Sequence, residues 1–150
     1  MKGVPSVEQT VICNSAKETE EFAAQLASTL TPKSVLAFTG DLGAGKTTFT
    51  RGLCAGLGYT GEVSSPTFAI VHEYIGGRIP LYHFDMYRVD SVDDLYACGF
   101  YDYLDFGILA IEWSENISSA IPKDAIYIHM QYGENENQRI ITVSREDPLC

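Results

Sequence analysis

Runs of apolar residues and alternating apolar and polar positions predict a series of strands along the chain. Two continuous apolar runs, Val35–Phe38 and Ile108–Ile111, are typical of strands buried on both faces of a parallel sheet. β-rich stretches bounded by turn residues predict further strands at 9–13, 67–74, 78–85, 125–132 and 139–143. Because only Ile75-Gly76-Gly77 separates 67–74 from 78–85, this pair is expected to form a hairpin.

Other segments carry a helical pattern. The first begins at Ser15, with Glu18 three residues later as in a capping box, and ends before Pro32. Further helices are predicted over 47–57, over 91–97 and from Trp113 to near Pro122. The mixture predicts an α/β domain without an internal boundary, spanning residues 1–150.

The segment between the first buried strand and the second helix reads GDLGAGKT, Gly40 to Thr47, and matches the phosphate-binding loop pattern. Glycines let backbone N–H groups turn inward towards an anion, and the helix that follows adds its positive end. The lysine is expected to reach the β- and γ-phosphates and the Thr47 hydroxyl to bind Mg²⁺. The predicted nucleotide-binding residues of this segment are Asp41, Leu42, Gly43, Ala44, Gly45, Lys46, Thr47 and Thr48. The alternative is a plain glycine-rich turn.

Two carboxylates follow predicted strands, where ligands of open α/β sheets collect. Glu112 comes directly after Ile108–Ile111, and Asp85 ends the stretch LYHFD. Both are predicted to be catalytic, with Lys46, and to contribute with Thr47 to the magnesium site. The alternatives are an ordinary acidic residue at a strand end for Glu112 and a salt bridge with Arg88 for Asp85. His83, on the same strand face as Asp85, is typical of a core histidine whose hydrogen bonds are satisfied.

A third segment, Val63–Phe68 (VSSPTF), supplies hydroxyls about twenty residues beyond the lysine. Thr67 is therefore a predicted nucleotide-binding residue in a loop that senses the γ-phosphate. A proline-stiffened turn is the alternative. The absence of the N-K-x-D signature of GTPases favours ATP.

Charge and composition limit the classes of partner. The chain has 150 residues with 20 acidic and 10 basic side chains, a formal net charge of −10, which disfavours direct binding to bare nucleic acid. No apolar run is long enough for a membrane span, and the N-terminus lacks a signal-peptide core. The four widely spaced cysteines fit neither a zinc site nor a disulfide framework, so a cytoplasmic location is expected.

The order of the segments GDLGAGKTTFTRGL, SSPTF, YHFDMYR and IEW resembles the TsaE (also called YjeE) family. The phosphate loop is shared by many families, whereas SPTF and HFDxYR are the specific part. The resemblance implies a P-loop NTPase-like three-layer fold with a mixed, mainly parallel central sheet and antiparallel flanking strands. It implies an ATPase that binds ATP and Mg²⁺, hydrolyses slowly, and acts with the proteins TsaB and TsaD. That complex attaches the threonylcarbamoyl group to the tRNA adenosine beside the anticodon, so tRNA would be met only indirectly.

The resemblance also strengthens individual assignments. Asp85 and Glu112 match the acidic residues of the family's site, and Trp113 follows Glu112 as in the family pattern. The segment Ser15–Thr19 would lie near the adenine, and Arg139 would match the family's C-terminal arginine.

Two other functions remain open from the residues. A P-loop small-molecule kinase is the alternative, but it usually needs an arginine-bearing lid, and no compact arginine cluster follows the loop. A nucleotide-binding module without turnover would leave Glu112 without a role. Arg51 and Arg88 are the candidates for a transition-state arginine, and nothing in their spacing selects either.

Overall fold

Seven strands form a single mixed sheet in the computed structural model, which describes residues 8–41, 45–63 and 70–145. In chain order they are β1 (Gln9–Cys13), β2 (Val35–Gly40), β3 (Val71–Tyr74), β4 (Leu81–Asp85), β5 (Ile108–Glu112), β6 (Ile126–Tyr132) and β7 (Arg139–Ser144). Their order across the sheet is β1-β7-β6-β2-β5-β4-β3. All the predicted strands are therefore present. β4 is shorter than its pattern, and residues 67–69 of the pattern 67–74 lie outside the described residues.

The four central strands, β6, β2, β5 and β4, run parallel. On one side β3 pairs antiparallel with β4 as the predicted hairpin, and on the other β7 pairs antiparallel with both β6 and β1. The predicted α/β architecture and mixed sheet are confirmed. Parallel pairing is confined to the four central strands and antiparallel pairing to the flanking ones, as predicted.

The helices are α1 (Ala16–Ala27), α2 (Lys46–Gly56), α3 (Val92–Ala97), α4 (Phe100–Tyr103) and a 3-10 helix (Ser114–Ala120). The predicted caps are confirmed, since Ser15 Oγ accepts the Glu18 N–H and Ser91 Oγ accepts the Asp94 N–H, both at 3.2 Å. The sequence pattern missed α4, a separate short helix that begins directly after Gly99, whose backbone is left-handed at φ +77°. Within the described part of the chain, no helix has both the length and the apolar character needed to cross a bilayer.

Apolar side chains pack on both faces of the sheet. One cluster joins α1 and α2 to alternate residues of the central strands, including Leu81 and Phe38, and the other joins α3 and α4 to residues such as Phe84. Along β4, Leu81 therefore faces α2, whereas Tyr82 and Phe84 face α3 and α4. By the same alternation His83 and Asp85 lie on the α2 face, as predicted.

The end of β2 is held tightly against β6. Gly40 pairs with Met130 in the parallel register and has φ +110°, and the next N–H, of Asp41, donates to Met130 O at 3.0 Å. A Cβ atom on Gly40 would overlap the Met130 carbonyl group. Glycine is therefore required at this position both by the left-handed backbone and by the close approach of β6.

We predict that Gly40→Ala destabilises the protein by at least about 2 kcal/mol, because it adds overlap with β6 to the strain of a positive φ. Chemical denaturation monitored by circular dichroism measures the change. Gly58→Ala is the matched control, since Gly58 has φ +84° but nothing within 4 Å of a new Cβ. Equal destabilisation by the two substitutions would show that the contact with Met130 contributes nothing.

Candidate functional site

The carboxyl ends of three parallel strands bring the predicted site residues to one edge of the sheet. Asp85 and Glu112 are direct partners in the register of β4 and β5, and the Met86 N–H donates to Glu112 O at 3.0 Å. β2 lies beside β5 and runs in the same direction, so its exit at Gly40 lies at the same edge. The structure thus brings together the start of the glycine-rich loop and both predicted carboxylates.

The first turn of α2 presents backbone donors at this edge. Gly45 precedes the helix at φ +101°, and no side chain caps it, in contrast to the serine caps of α1 and α3. The helical hydrogen bonds begin with the Phe49 N–H, which donates to Gly45 O at 2.8 Å. The N–H groups of residues 46–48 therefore lie in the orphan first turn, where the helix dipole is positive.

Lys46 places a positive charge beside these backbone donors at the start of α2. Its side chain is buried at 6% exposure, and it forms no ion pair with any other described residue. Its Nζ lies 5.7 Å from the centre of the Trp113 ring, which in turn packs on Tyr87 with ring centres 4.9 Å apart. The aromatic face gives only part of the stabilisation that a buried ammonium group needs, so an anion is the complementary ligand.

Trp113 itself has an unusual backbone. Its φ is +60°, and it is the one non-glycine residue with positive φ among those the structure describes. A left-handed conformation at a bulky residue costs about 1–3 kcal/mol and is often found at functional sites. The turn is held by Ser114, whose buried Oγ donates to Phe38 O at 3.0 Å. This arrangement positions the indole ring next to Lys46.

Asp85 is held by the backbone and not by a neighbouring charge. Its Oδ1 accepts the Tyr87 N–H at 2.9 Å. Among the described residues no ion pair joins it to Arg88, whose side chain is exposed, so the alternative of a salt bridge is wrong. Within the described part of the chain, no hydrogen bond is made to the other carboxylate oxygen, Oδ2.

Glu112 contacts His83, whose hydrogen bonding differs from that expected from the sequence pattern. His83 is fully buried, as predicted, but its hydrogen bonds are not satisfied. Its Nε2 lies 2.5 Å from Glu112 Oε2, yet the contact lacks hydrogen-bond geometry. Both His83 ring nitrogens and Glu112 Oε2 have no hydrogen-bond partner within the described part of the chain. Each such buried group costs about 1–3 kcal/mol if it stays unpaired.

The donor set at this edge fits Mg²⁺. Asp85 and Glu112 are register partners at the ends of β4 and β5, and two carboxylates beside a phosphate site would repel the ligand unless a cation separated them. Across residues 8–41, 45–63 and 70–145 no group of three or more His, Cys, Asp and Glu side chains could hold a metal ion alone. Mg²⁺ does not require such a group, because it usually binds through one or two carboxylates, waters and the phosphates of a substrate.

A cavity of about 80 Å³ opens beside the start of α2. It is lined by Ala16, Thr19, Gly45, Thr48, Asn137 and Arg139. The structure therefore brings part of the Ser15–Thr19 segment, expected near the adenine, and Arg139, matched to the family's C-terminal arginine, next to the start of α2. The Arg139 guanidinium packs over the Tyr132 ring at 4.7 Å and donates to Glu136 O at 2.6 Å.

The remaining predicted residues divide into two groups. Thr47 and Thr48 lie half-buried in the first turn of α2, and Asp41 is exposed, with its Oδ2 accepting the Tyr132 N–H at 3.2 Å. The others lie outside the described residues: Leu42, Gly43, Ala44 and Thr67.

The arginines predicted as candidates for the transition state lie apart from the cavity. Arg51 forms an exposed ion pair with Glu20 of α1 at 3.7 Å, and Arg88 is exposed. Arg139 is the arginine that the structure places among the cavity's lining residues.

Sequence reasoning missed the roles of His83, Trp113 and Tyr87 in this site. The alternation of side chains along the strand already placed His83 on the same face as Asp85. This shared face could have indicated that His83 lies near the site. No comparable signal existed for the contact between Lys46 and Trp113, which are 67 positions apart in the chain and meet only through the sheet.

Comparisons with known proteins agree on one family. The family model described as "Threonylcarbamoyl adenosine biosynthesis protein TsaE" matches residues 13–141. The tRNA threonylcarbamoyladenosine biosynthesis protein TsaE of Bacillus subtilis is 40% identical over 139 residues, which cover 89% of this chain and 86% of that protein. Its counterpart in Rickettsia prowazekii is 36% identical over 137 residues, with 91% and 94% covered.

A solved structure gives the same result. The crystal structure of Bacillus subtilis YdiB superimposes with a TM-score of 0.76 and 34% sequence identity, over 93% of this chain and 86% of that one. Family model, curated relatives and structural neighbour each cover most of the chain, and the chain belongs to the TsaE family.

Proposed function

We propose that the chain is an ATPase whose triphosphate site lies at the carboxyl edge of β2, β5 and β4. The observation that carries this proposal is the placement of Lys46, a residue at 6% exposure that begins the uncapped helix α2 and forms no ion pair with another described residue. The proposal includes a P-loop NTPase-like three-layer fold and one ATPase domain over residues 1–150. Helices on both faces of the mixed sheet support this interpretation.

Each residue of the edge has a distinct task in this proposal. The N–H groups at the start of α2 and of residues 41–45 hold the phosphates, and Lys46 neutralises charge on the β- and γ-phosphates. Thr47, Asp85 and Glu112 are the residues that would hold Mg²⁺, which when bound would offset the charge of the phosphate oxygens. Glu112 additionally orients the water that attacks the γ-phosphate. Thr67 is proposed to sense that phosphate from its loop.

The cavity beside α2 is the proposed site of the nucleoside. It adjoins Gly45 and Thr48, so a ligand whose phosphates lie on the first turn of α2 would extend into it. Thr19 and Asn137 offer polar groups there, and the Arg139 guanidinium offers a flat cationic surface. ATP is proposed over GTP because the base-reading signature of GTPases is missing from the sequence.

Slow hydrolysis follows from the placement of the arginines. Arg51 is paired with α1, and Arg88 points to solvent without a described partner. Without a cis arginine on the γ-phosphate, turnover is expected to depend on a partner that supplies charge or orders the site.

The cellular role comes from the relatives. Proteins of 36–40% identity over most of their length are named for tRNA threonylcarbamoyladenosine biosynthesis. We propose that this chain supports the same tRNA modification in the cytoplasm, acting with TsaB and TsaD and not on tRNA directly. The net charge of −10 supports this division of labour, because it opposes direct contact with a phosphate backbone.

We predict that Lys46→Ala weakens binding of Mg²⁺·ATP by roughly 10–100-fold, the loss expected when a hydrogen bond to a charged group is removed. Isothermal titration calorimetry measures the affinity. Adenosine, which lacks phosphates, should bind both proteins equally well.

Lys33→Ala is the matched control, since Lys33 is exposed in the turn before β2. It should bind ATP like the unaltered protein. Unchanged ATP affinity in Lys46→Ala would contradict the assignment of the phosphate site.

The cellular role is tested by reconstitution with TsaB–TsaD, tRNA, a threonylcarbamoyl donor and ATP. We expect repeated rounds of adenosine modification, quantified by mass spectrometry of nucleosides, only when this chain and ATP are both present. Lys46→Ala should fail to support them, and Lys33→Ala should succeed. Equal modification with and without the chain would refute the role. Stoichiometric transfer of phosphate to a small-molecule acceptor would instead establish the kinase alternative.

A further inference from the structure

His83 and Glu112 form a buried pair that the proposed reaction does not by itself explain. The two side chains are 0% and 12% exposed, and their closest atoms, Nε2 and Oε2, lie 2.5 Å apart. Neither ring nitrogen of His83 has a hydrogen-bond partner among the described residues. A purely structural histidine would normally have its ring nitrogens satisfied when it is buried this completely.

The position of His83 in the sheet is as specific as its burial. It lies on the α2 face of β4, two residues before Asp85, and pairs in register with Ala110, two residues before Glu112. The small Ala110 side chain leaves room for the imidazole ring to lie along β5 towards the glutamate. His83 therefore reaches Glu112 from inside the protein, behind the edge where the phosphates are proposed to bind.

We propose that His83 is a positioning residue that holds Oε2 of Glu112 and thereby fixes the direction of the carboxylate. A glutamate at a strand end has three rotatable side-chain bonds, and a contact to one oxygen, Oε2, restricts them. This inference rests on the proposed ATPase function, in which Glu112 orients the attacking water or the metal. Small displacements of such a group reduce turnover strongly while leaving substrate binding nearly intact.

The test compares ATP hydrolysis by His83→Phe, His83→Gln, Glu112→Gln and the double variant His83→Phe/Glu112→Gln. His83→Phe keeps a planar ring, somewhat larger than imidazole, without a nitrogen, and His83→Gln places an amide N–H close to where Nε2 lies. We expect His83→Phe to lower kcat at least about tenfold with KM for ATP within about threefold of the unaltered value. We expect His83→Gln to recover most of that loss.

The double variant separates positioning through Glu112 from an independent effect. If His83 acts through Glu112, the double variant should be no slower than Glu112→Gln alone. The proposal would be overturned if the kcat losses of the two single variants multiplied in the double variant, or if His83→Phe had a normal kcat. His72→Phe is the matched control, because His72 is the direct register partner of His83 on β3 and makes its contact with the Tyr74 hydroxyl instead. It should keep the normal kcat.

A second measurement does not depend on hydrolysis. The chain has three histidines, so the ring nitrogens are readily resolved by NMR after labelling with ¹⁵N-histidine. Glu112→Gln should move the ring signals of His83, assigned from their loss in His83→Gln, and leave those of His72 and His129 in place. Unmoved His83 signals would overturn the proposal even if hydrolysis were slowed. An unaltered protein that hydrolyses no ATP, either alone or with TsaB–TsaD, but shows moved signals would refute the proposed function and retain the contact.

Discussion

The site depends on one electrostatic constraint: the positive start of α2 and the Lys46 ammonium group lie where the parallel strands end. A lysine at 6% exposure without an ion pair among the described residues is costly unless an anion completes it. The first turn of α2 has the same need, since no side chain caps it. The triphosphate of the proposed function would satisfy both needs at once, at a helix that begins with glycine and lysine in place of a serine cap.

The parallel centre of the sheet converts this local property into a site. β2, β5 and β4 run in one direction, so the exit of β2 into the loop shares an edge with Glu112 and Asp85. Had β5 run antiparallel to β2, its terminal carboxylate would lie at the far edge. The tight pairing of Gly40 with Met130 fixes where the loop leaves the sheet. The negative groups then lie beside the positive ones, as a phosphate site with a bound divalent cation requires.

Much of this could be predicted from the sequence, because the signals were local. Continuous apolar runs indicated β2 and β5, glycine spacing indicated a turn from β2 into α2, and serine residues marked the starts of α1 and α3. The state of His83 was not predictable, because it depends on the β4–β5 register that carries Glu112 past it. The same holds for Trp113, whose left-handed backbone and contact with Lys46 follow from the fold and from no neighbouring residue. α4 was missed because four residues are too few to show a helical period.

The most direct test is a crystal structure of the chain with Mg²⁺ and a non-hydrolysable ATP analogue. The account predicts the triphosphate on the N–H groups at the start of α2, with Lys46 Nζ on its terminal phosphates and the metal ion between Thr47 and the Asp85 and Glu112 carboxylates. A triphosphate bound elsewhere on the chain, or a metal ion out of reach of both carboxylates, would contradict it.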